Sequence, residues 1–139
     1  MSGGYFNSYK DGLDLEFLRQ YCMTYGKVQT FQCGDRLETA GKPSRWIAYI
    51  EEGYFKYLIS CQWGDKTHCA GFAFAGDFVA NYPFCLDGAP SELTIEAGMP
   101  CKVILIEGKD LQRMYDEDIE KMHIGLQLMK GMFKMVYTR

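Results

Sequence analysis

The residues able to do chemistry are few, and their spacing does not suit catalysis. His68 and His123 are the only histidines among the 139 residues, and neither belongs to an H-x-H or H-E-x-x-H spacing. A metal-binding β-barrel of the cupin kind needs a cluster of imidazoles with a carboxylate, so the chain lacks the ligands for that enzyme class. The six cysteines (Cys22, Cys33, Cys61, Cys69, Cys85 and Cys101) are scattered through apolar or strand-like surroundings, and no two form a C-x-x-C pair. Thiolate ligands for zinc or an iron–sulfur cluster come more closely spaced, so no metal, no cofactor and no disulfide are expected. The thiols read as small packing groups, kept reduced in a cytoplasmic setting. No G-x-S-x-G elbow, phosphate-binding P-loop or dinucleotide-binding glycine pattern occurs, and the chain reads as a non-enzyme.

What remains is a loop. The stretch "GDFVANYPFCLDGAPSELTIEA", Gly76 to Ala97, leaves an apolar strand through a glycine and an acid. It then passes a bulky segment and a Gly-Ala-Pro break before an alternating strand. From Thr67 to Cys101 there is no lysine and no arginine, whereas Asp77, Asp87, Glu92 and Glu96 are all acids. Phe74, Phe78, Tyr82 and Phe84 either line a pocket for an uncharged or cationic small molecule or simply fill the interior.

The elements that position this loop follow from periodicity. At 139 residues, 47% apolar and 24% charged, the chain fits one soluble domain. Its net charge of -3 gives no support for nucleic-acid binding by these residues. No run of about 18 apolar residues and no signal-peptide pattern occurs, so no membrane span or export is expected. Residues 1–26 read as an N-terminal helical region, with Leu15, Leu18, Cys22 and Tyr25 on one face from Leu13 onward and Gly26 as the stop. Over residues 27–107, glycines mostly seven to twelve residues apart separate short aromatic and β-branched runs. These are "KVQTFQ", "RWIAYIEE", "YFKYLISCQW", "THCAGFAF", "ELTIEA" and "CKVILIE", the pattern of an all-β sandwich or barrel. Gly64-Asp65 marks a hairpin, "ETAGKPSRW" a loop, and Leu93 and Ile95 alternate with Glu92, Thr94 and Glu96 as a strand with one wet face. "CKVILIE" continues in the same way. Residues 108–139 read as helices: a short one with Leu111 and Met114, then a long one. In the long one Ile119, Met122, Leu126, Met129, Phe133 and Val136 step by three and four, which is a dimer-type seam. A second apolar row, Ile124, Leu128, Met132 and Met135, lies on a neighbouring face. A helix apolar on two faces needs two partners, so a homodimer is expected.

This order of elements resembles the sensory domain of the Crp/Fnr transcription regulators over nearly the whole chain. "FQCGDRLETAGKPSRWIAYIEEGYFKYLI" is similar to that family's F-x-x-G-(D/E)-x-(L/I) strand, glycine turn and Y-I-x-x-G-x-(V/F)-K strand pair. "FAFAGDFVANYPF" is similar to its strand and G-D-F-(V/I) approach to the nucleotide pocket. The resemblance implies a mainly β fold, a double-stranded β-helix or jelly roll of the cyclic-nucleotide-binding kind, with a short N-terminal helix and a long C-terminal dimer helix. It also implies that the loop corresponds to a phosphate-binding cassette, where a glutamate takes the ribose hydroxyl and an Arg-(Ser/Thr)-Ala triplet takes the cyclic phosphate. The helix N-terminus adds N–H donors there. Here Ser91 stands at the arginine position, Glu92 at the hydroxyl position, and Ala80 or Asn81 near the glutamate position. Gly76, Asp77, Phe78, Asn81, Tyr82, Ser91 and Glu92 are thus the candidate ligand-binding residues of a degenerate cassette. Arg45 and Lys56 are the nearest cations that could reach in. The family contacts DNA through a helix-turn-helix domain after the dimer helix, which these residues do not contain. The alternative is a stand-alone β-roll that binds a metabolite or a protein without touching DNA.

Overall fold

The computed structural model describes residues 15–60 and 67–137, excepting the side chains of Ser60 and of residues 131–137. Helix α1 (Glu16–Tyr25) precedes eight strands: β1 (Lys27–Phe31), β2 (Arg36–Glu38), β3 (Trp46–Glu52), β4 (Tyr54–Ser60), β5 (Thr67–Phe74), β6 (Phe78–Ala80), β7 (Leu93–Ala97) and β8 (Cys101–Glu107). A single 3-10 turn, Phe84–Leu86, lies between β6 and β7, and helices α2 (Gly108–Glu117) and α3 (Ile119–Tyr137) follow β8. The strands form two four-stranded sheets, ordered β1-β8-β3-β6 and β2-β7-β4-β5, with antiparallel pairing throughout. This is the mainly β jelly roll that the resemblance implied, within the all-β sandwich or barrel that the turns suggested. The Gly64-Asp65 hairpin and Cys61 lie outside the described residues.

Two cores hold it together. Between the sheets, Phe31, Ile50, Phe55, Tyr57, Ile95 and Val103 are buried, and Phe31 meets Phe55 edge-on at 5.3 Å. On the outer face of the first sheet, Ile47, Phe78, Ile104 and Ile106 pack against Leu18, Leu111, Met114 and Leu128 from the helices. Each fully buried aliphatic side chain contributes roughly 1.5–3 kcal/mol. Because the first sheet is covered on both sides, β8 is not the one-sided strand its alternation suggested. Val103 faces the roll while Ile104 and Ile106 are buried too, and only Lys102 of the strand is exposed.

Thr94 also departs from its expected wet face. It is 9% exposed, and its hydroxyl accepts the Ala40 N–H at 3.0 Å because the loop between β2 and β3 crosses over it. In α1, Leu15, Leu18 and Cys22 are buried as their spacing suggested, but Tyr25 is 71% exposed. The helix does stop at Gly26, though not through a left-handed turn. Gly26 is extended (φ -74, ψ 161), and a Cβ there would lie 2.3 Å from Ile104 Cγ2 and 2.5 Å from the Cys22 carbonyl oxygen. Glycine is required by the close approach of the helix end to β8.

Candidate functional site

The loop is anchored at its start by a tight turn. The Asp77 N–H donates to the Phe74 carbonyl at 3.0 Å, and the Gly76 N–H to that of Ile50 at 2.8 Å. Gly76 takes a φ of +91 there. The three residues of β6 then pair with β3, Phe78 against Tyr49 and Ala80 against Ile47. Period-2 geometry sends Val79 into the roll and Phe78 toward the helices. Phe78 and Tyr82, each 4% exposed, therefore belong to the helix-side core, while Phe74 and Phe84 are exposed on the surface. None of these four aromatics fills the interior of the roll. That place is taken by Phe31, Phe55 and Tyr57, which the sequence reading did not single out. The Tyr57 hydroxyl crosses from the second sheet to the first and accepts the Ala80 N–H at 3.5 Å.

Asn81 points the other way from Tyr82 and is 2% exposed. Its amide nitrogen donates to Ser44 Oγ and to the Leu93 carbonyl, both at 3.4 Å. Its Oδ1 is buried with no partner among the described residues. Ser91 is half-buried; its hydroxyl accepts the Leu93 N–H at 3.1 Å and its carbonyl accepts the Gly41 N–H at 2.9 Å. Glu92 is exposed. The structure thus brings Asn81 and Ser91 to one seam, where residues 39–45 lie across residues 81–94, and leaves the other five candidates outside it.

Apart from the buried tyrosines, the buried polar side chains found among the described residues gather here: Ser44, Asn81 and Thr94 in the seam and Glu38 at its edge. Glu38 Oε2 accepts the backbone N–H groups of Arg45 at 2.6 Å and Trp46 at 3.0 Å. Burial pushes its carboxyl above the ordinary value, while the two N–H bonds and Arg45 act against that shift. In the sequence Glu38 looks like any loop acid and Thr94 like a wet-face residue, so neither carried a signal. Neither candidate cation enters the roll. Arg45 donates from Nε to Glu107 at 2.7 Å and lies 4.4 Å over the Trp46 ring. Lys56 stands between the inward-facing Phe55 and Tyr57, so it projects outward, 4.0 Å from Glu96. A cavity of about 230 Å³ lies beside the seam, walled in part by Ser44, Cys85 and Asp87. Its two cations, Arg45 and Lys109, are both held by Glu107, at 2.7 and 3.3 Å. Among the described residues no three His, Cys, Asp or Glu side chains are grouped to hold a metal ion.

The far side of the loop joins the helices. The Tyr82 hydroxyl lies 3.1 Å from that of Tyr115 on α2 and donates to the Gly125 carbonyl on α3 at 3.4 Å. Burial pushes the Tyr82 phenol up to about 12, and burial raises that of Tyr115 as well. On α3, Leu128 is buried and Ile124 and Met129 pack partly against the core. Of the expected seam, Ile119, Met122 and Leu126 are exposed, by 77%, 37% and 49%, whereas Met129 is half-buried against the core, so the seam does not stay one outward row. The side chains of Phe133 and Val136 lie outside the described residues. No described helix is long and apolar enough to cross a membrane.

No protein-family description matches the chain, and no curated protein matches it in sequence. Solved structures do match in shape. The N-terminal domain of a transcriptional regulator from Streptomyces coelicolor A3(2) superposes with a TM-score of 0.68 at 18% identity, over 95% of this chain and 92% of that one. The catabolite activator protein of Thermus thermophilus gives 0.67 at 11% identity, over 94% of this chain and 58% of its own. FixK2 from Bradyrhizobium japonicum gives 0.66 at 14% identity, over 78% and 52%. The chain therefore spans little more than half the length of the latter two proteins. Its fold is the cyclic-nucleotide-binding-type β-roll found in Crp/Fnr regulators.

Proposed function

We propose that this chain is the sensory domain of a Crp/Fnr-like transcription regulator whose effector loop no longer suits a cyclic phosphate. One observation carries this reading: among the described residues the cations beside the loop, Arg45, Lys56 and Lys109, are all paired with Glu107 or Glu96. Ser91 and Glu92 stand where the family's arginine and hydroxyl would be, and both Arg45 and Lys56 are engaged elsewhere. A charge-assisted contact of arginine to phosphate is worth roughly 1.5–3 kcal/mol. At about 1.4 kcal/mol per tenfold, its loss, together with repulsion from Glu92, lowers nucleotide affinity by a hundredfold or more. The effector of this reading is a small uncharged or cationic molecule. Two copies pair through the exposed row of α3, and contact with DNA belongs to a helix-turn-helix segment of a longer protein.

The test is calorimetry with cyclic AMP and cyclic GMP at millimolar concentration. Little or no binding is expected. The double variant Ser91→Arg, Glu92→Ser restores the missing charge and should gain affinity if charge alone was lost. If it stays inert, the seam of residues 39–45 and the Tyr57 hydroxyl close the site in shape as well. Micromolar binding by the unaltered chain would overturn the reading.

A further inference from the structure

Helix α3 carries two apolar rows, and hydrophobic burial alone does not choose between them. At 100° per residue, Ile124, Gly125, Leu128 and Met129 share one face, and Ile119, Met122 and Leu126 are centred about a third of a turn round from it. The rows are of similar size and both consist of long aliphatic or thioether side chains. Only the first is docked; Leu128 is 1% exposed and Leu126 is 49% exposed. What marks the docked face is its centre, Gly125. A Cβ there would meet the Tyr115 ring at 2.8 Å, so the ring lies directly on the helix backbone. Over the same point the Tyr82 hydroxyl donates to the Gly125 carbonyl while 3.1 Å from the Tyr115 hydroxyl. Both tyrosines are nearly fully buried, and the bond from the Tyr82 hydroxyl to α3 is made only in this setting of the helix.

We propose that Tyr82, Tyr115 and Gly125 form a polar key that sets the rotation of α3, and so decides which apolar row is left outward for a second copy. Tyr82 and Tyr115 act as positioning residues. Rolling α3 by a third of a turn would cover Met122 and Leu126 instead, but it would break the bond from the Tyr82 hydroxyl to the Gly125 carbonyl and put a side chain against the Tyr115 ring. Tyr82 directly follows Asn81, so the key also ties the α3 setting to the loop. The role given to the outward row rests on the dimer reading above; the key itself does not.

Hydroxyl-radical footprinting reads the two rows separately. In the unaltered chain Leu128 should be protected at every protein concentration. Replacing Tyr82→Phe removes one buried hydrogen bond, which should shift the docked-to-undocked ratio by about fivefold, with Leu128 oxidation rising in step. Gly125→Ala forces the ring and helix apart and should have the same effect. Gly125→Ser at the same site adds a similar clash and controls for helix propensity. Tyr21→Phe, which loses a hydroxyl bond to Arg113 on the surface, should leave Leu128 protected. If Tyr82→Phe and Gly125→Ala lower thermal stability but leave the Leu128 pattern as in the unaltered chain, the key is only packing and the proposal is wrong. A chain that is monomeric by sedimentation yet shows the Leu128 response would sink the dimer reading and leave the key standing.

Discussion

At the scale of single residues, burial separates groups that look alike in the sequence. Cys33 and Cys69 are exposed, whereas Cys22, Cys85 and Cys101 are buried. Loss of water around the thiolate pushes the Cys22 thiol up to about 12 and raises Cys85 and Cys101 too. With a disulfide reagent at neutral pH, Cys33 and Cys69 should be modified rapidly, and Cys22 and Cys85 only as the protein unfolds. Peptide mapping after partial reaction checks this, and equal labelling of Cys22 and Cys33 in the native protein would contradict it. Gly108 supplies a second case. A Cβ there would fall 1.9 Å from the Cys85 carbonyl oxygen, where backbone cannot yield easily. Gly108→Ala should therefore cost about 2 kcal/mol or more, in the range of overpacked core positions, and appear as a clear drop in melting temperature.

Among the elements, α3 shows why an apolar pattern does not by itself name its partner. Its steps of three and four marked a seam, and the structure divides the apolar residues between a docked face and an exposed one. Leu128→Ala removes a fully buried side chain and should destabilise the fold by about 2–5 kcal/mol. Leu126→Glu should leave the melting temperature of the monomer nearly unchanged but abolish self-association, because it places a charge in the exposed row. Sedimentation at tens of micromolar (roughly the range of a modest interface) distinguishes the two. A chain that is already monomeric without the substitution would refute the pairing.

For the molecule as a whole, the two buried tyrosines tie stability to alkaline pH. The Tyr82 phenol is raised from 10.0 to about 12 by burial, so between those values the unfolded chain releases its proton more readily than the folded one. Stability is fully present below pH 10 and falls as the pH rises toward 12. Absorbance at the tyrosinate band should show Tyr82 and Tyr115 titrating together with unfolding, above pH 10. Tyr82→Phe should flatten that alkaline loss. Coincidence of all tyrosines in one early titration would show that neither is protected.

Turn spacing and short β-runs were enough to read an all-β roll closed by helices, because glycine placement and period-2 patterning are local. The end of α1, the break before α3 and the six longer strands were legible for the same reason. The missing cation in the loop was legible too, since an absent residue type needs no coordinates. The three-residue strands β2 and β6 were too short to show a period. The side on which each loop residue falls was decided by tertiary structure alone. Asn81 and Tyr82 are neighbours, yet one enters the polar seam against Ser44 and the other the helix-side core against Tyr115. Glu38 and Thr94 became buried only because residues 39–45 fold across them. For Asn81, Tyr82 and Thr94 the choice depends on segments dozens of residues away, and for Glu38 on how the following loop folds back, so no periodic pattern encodes it.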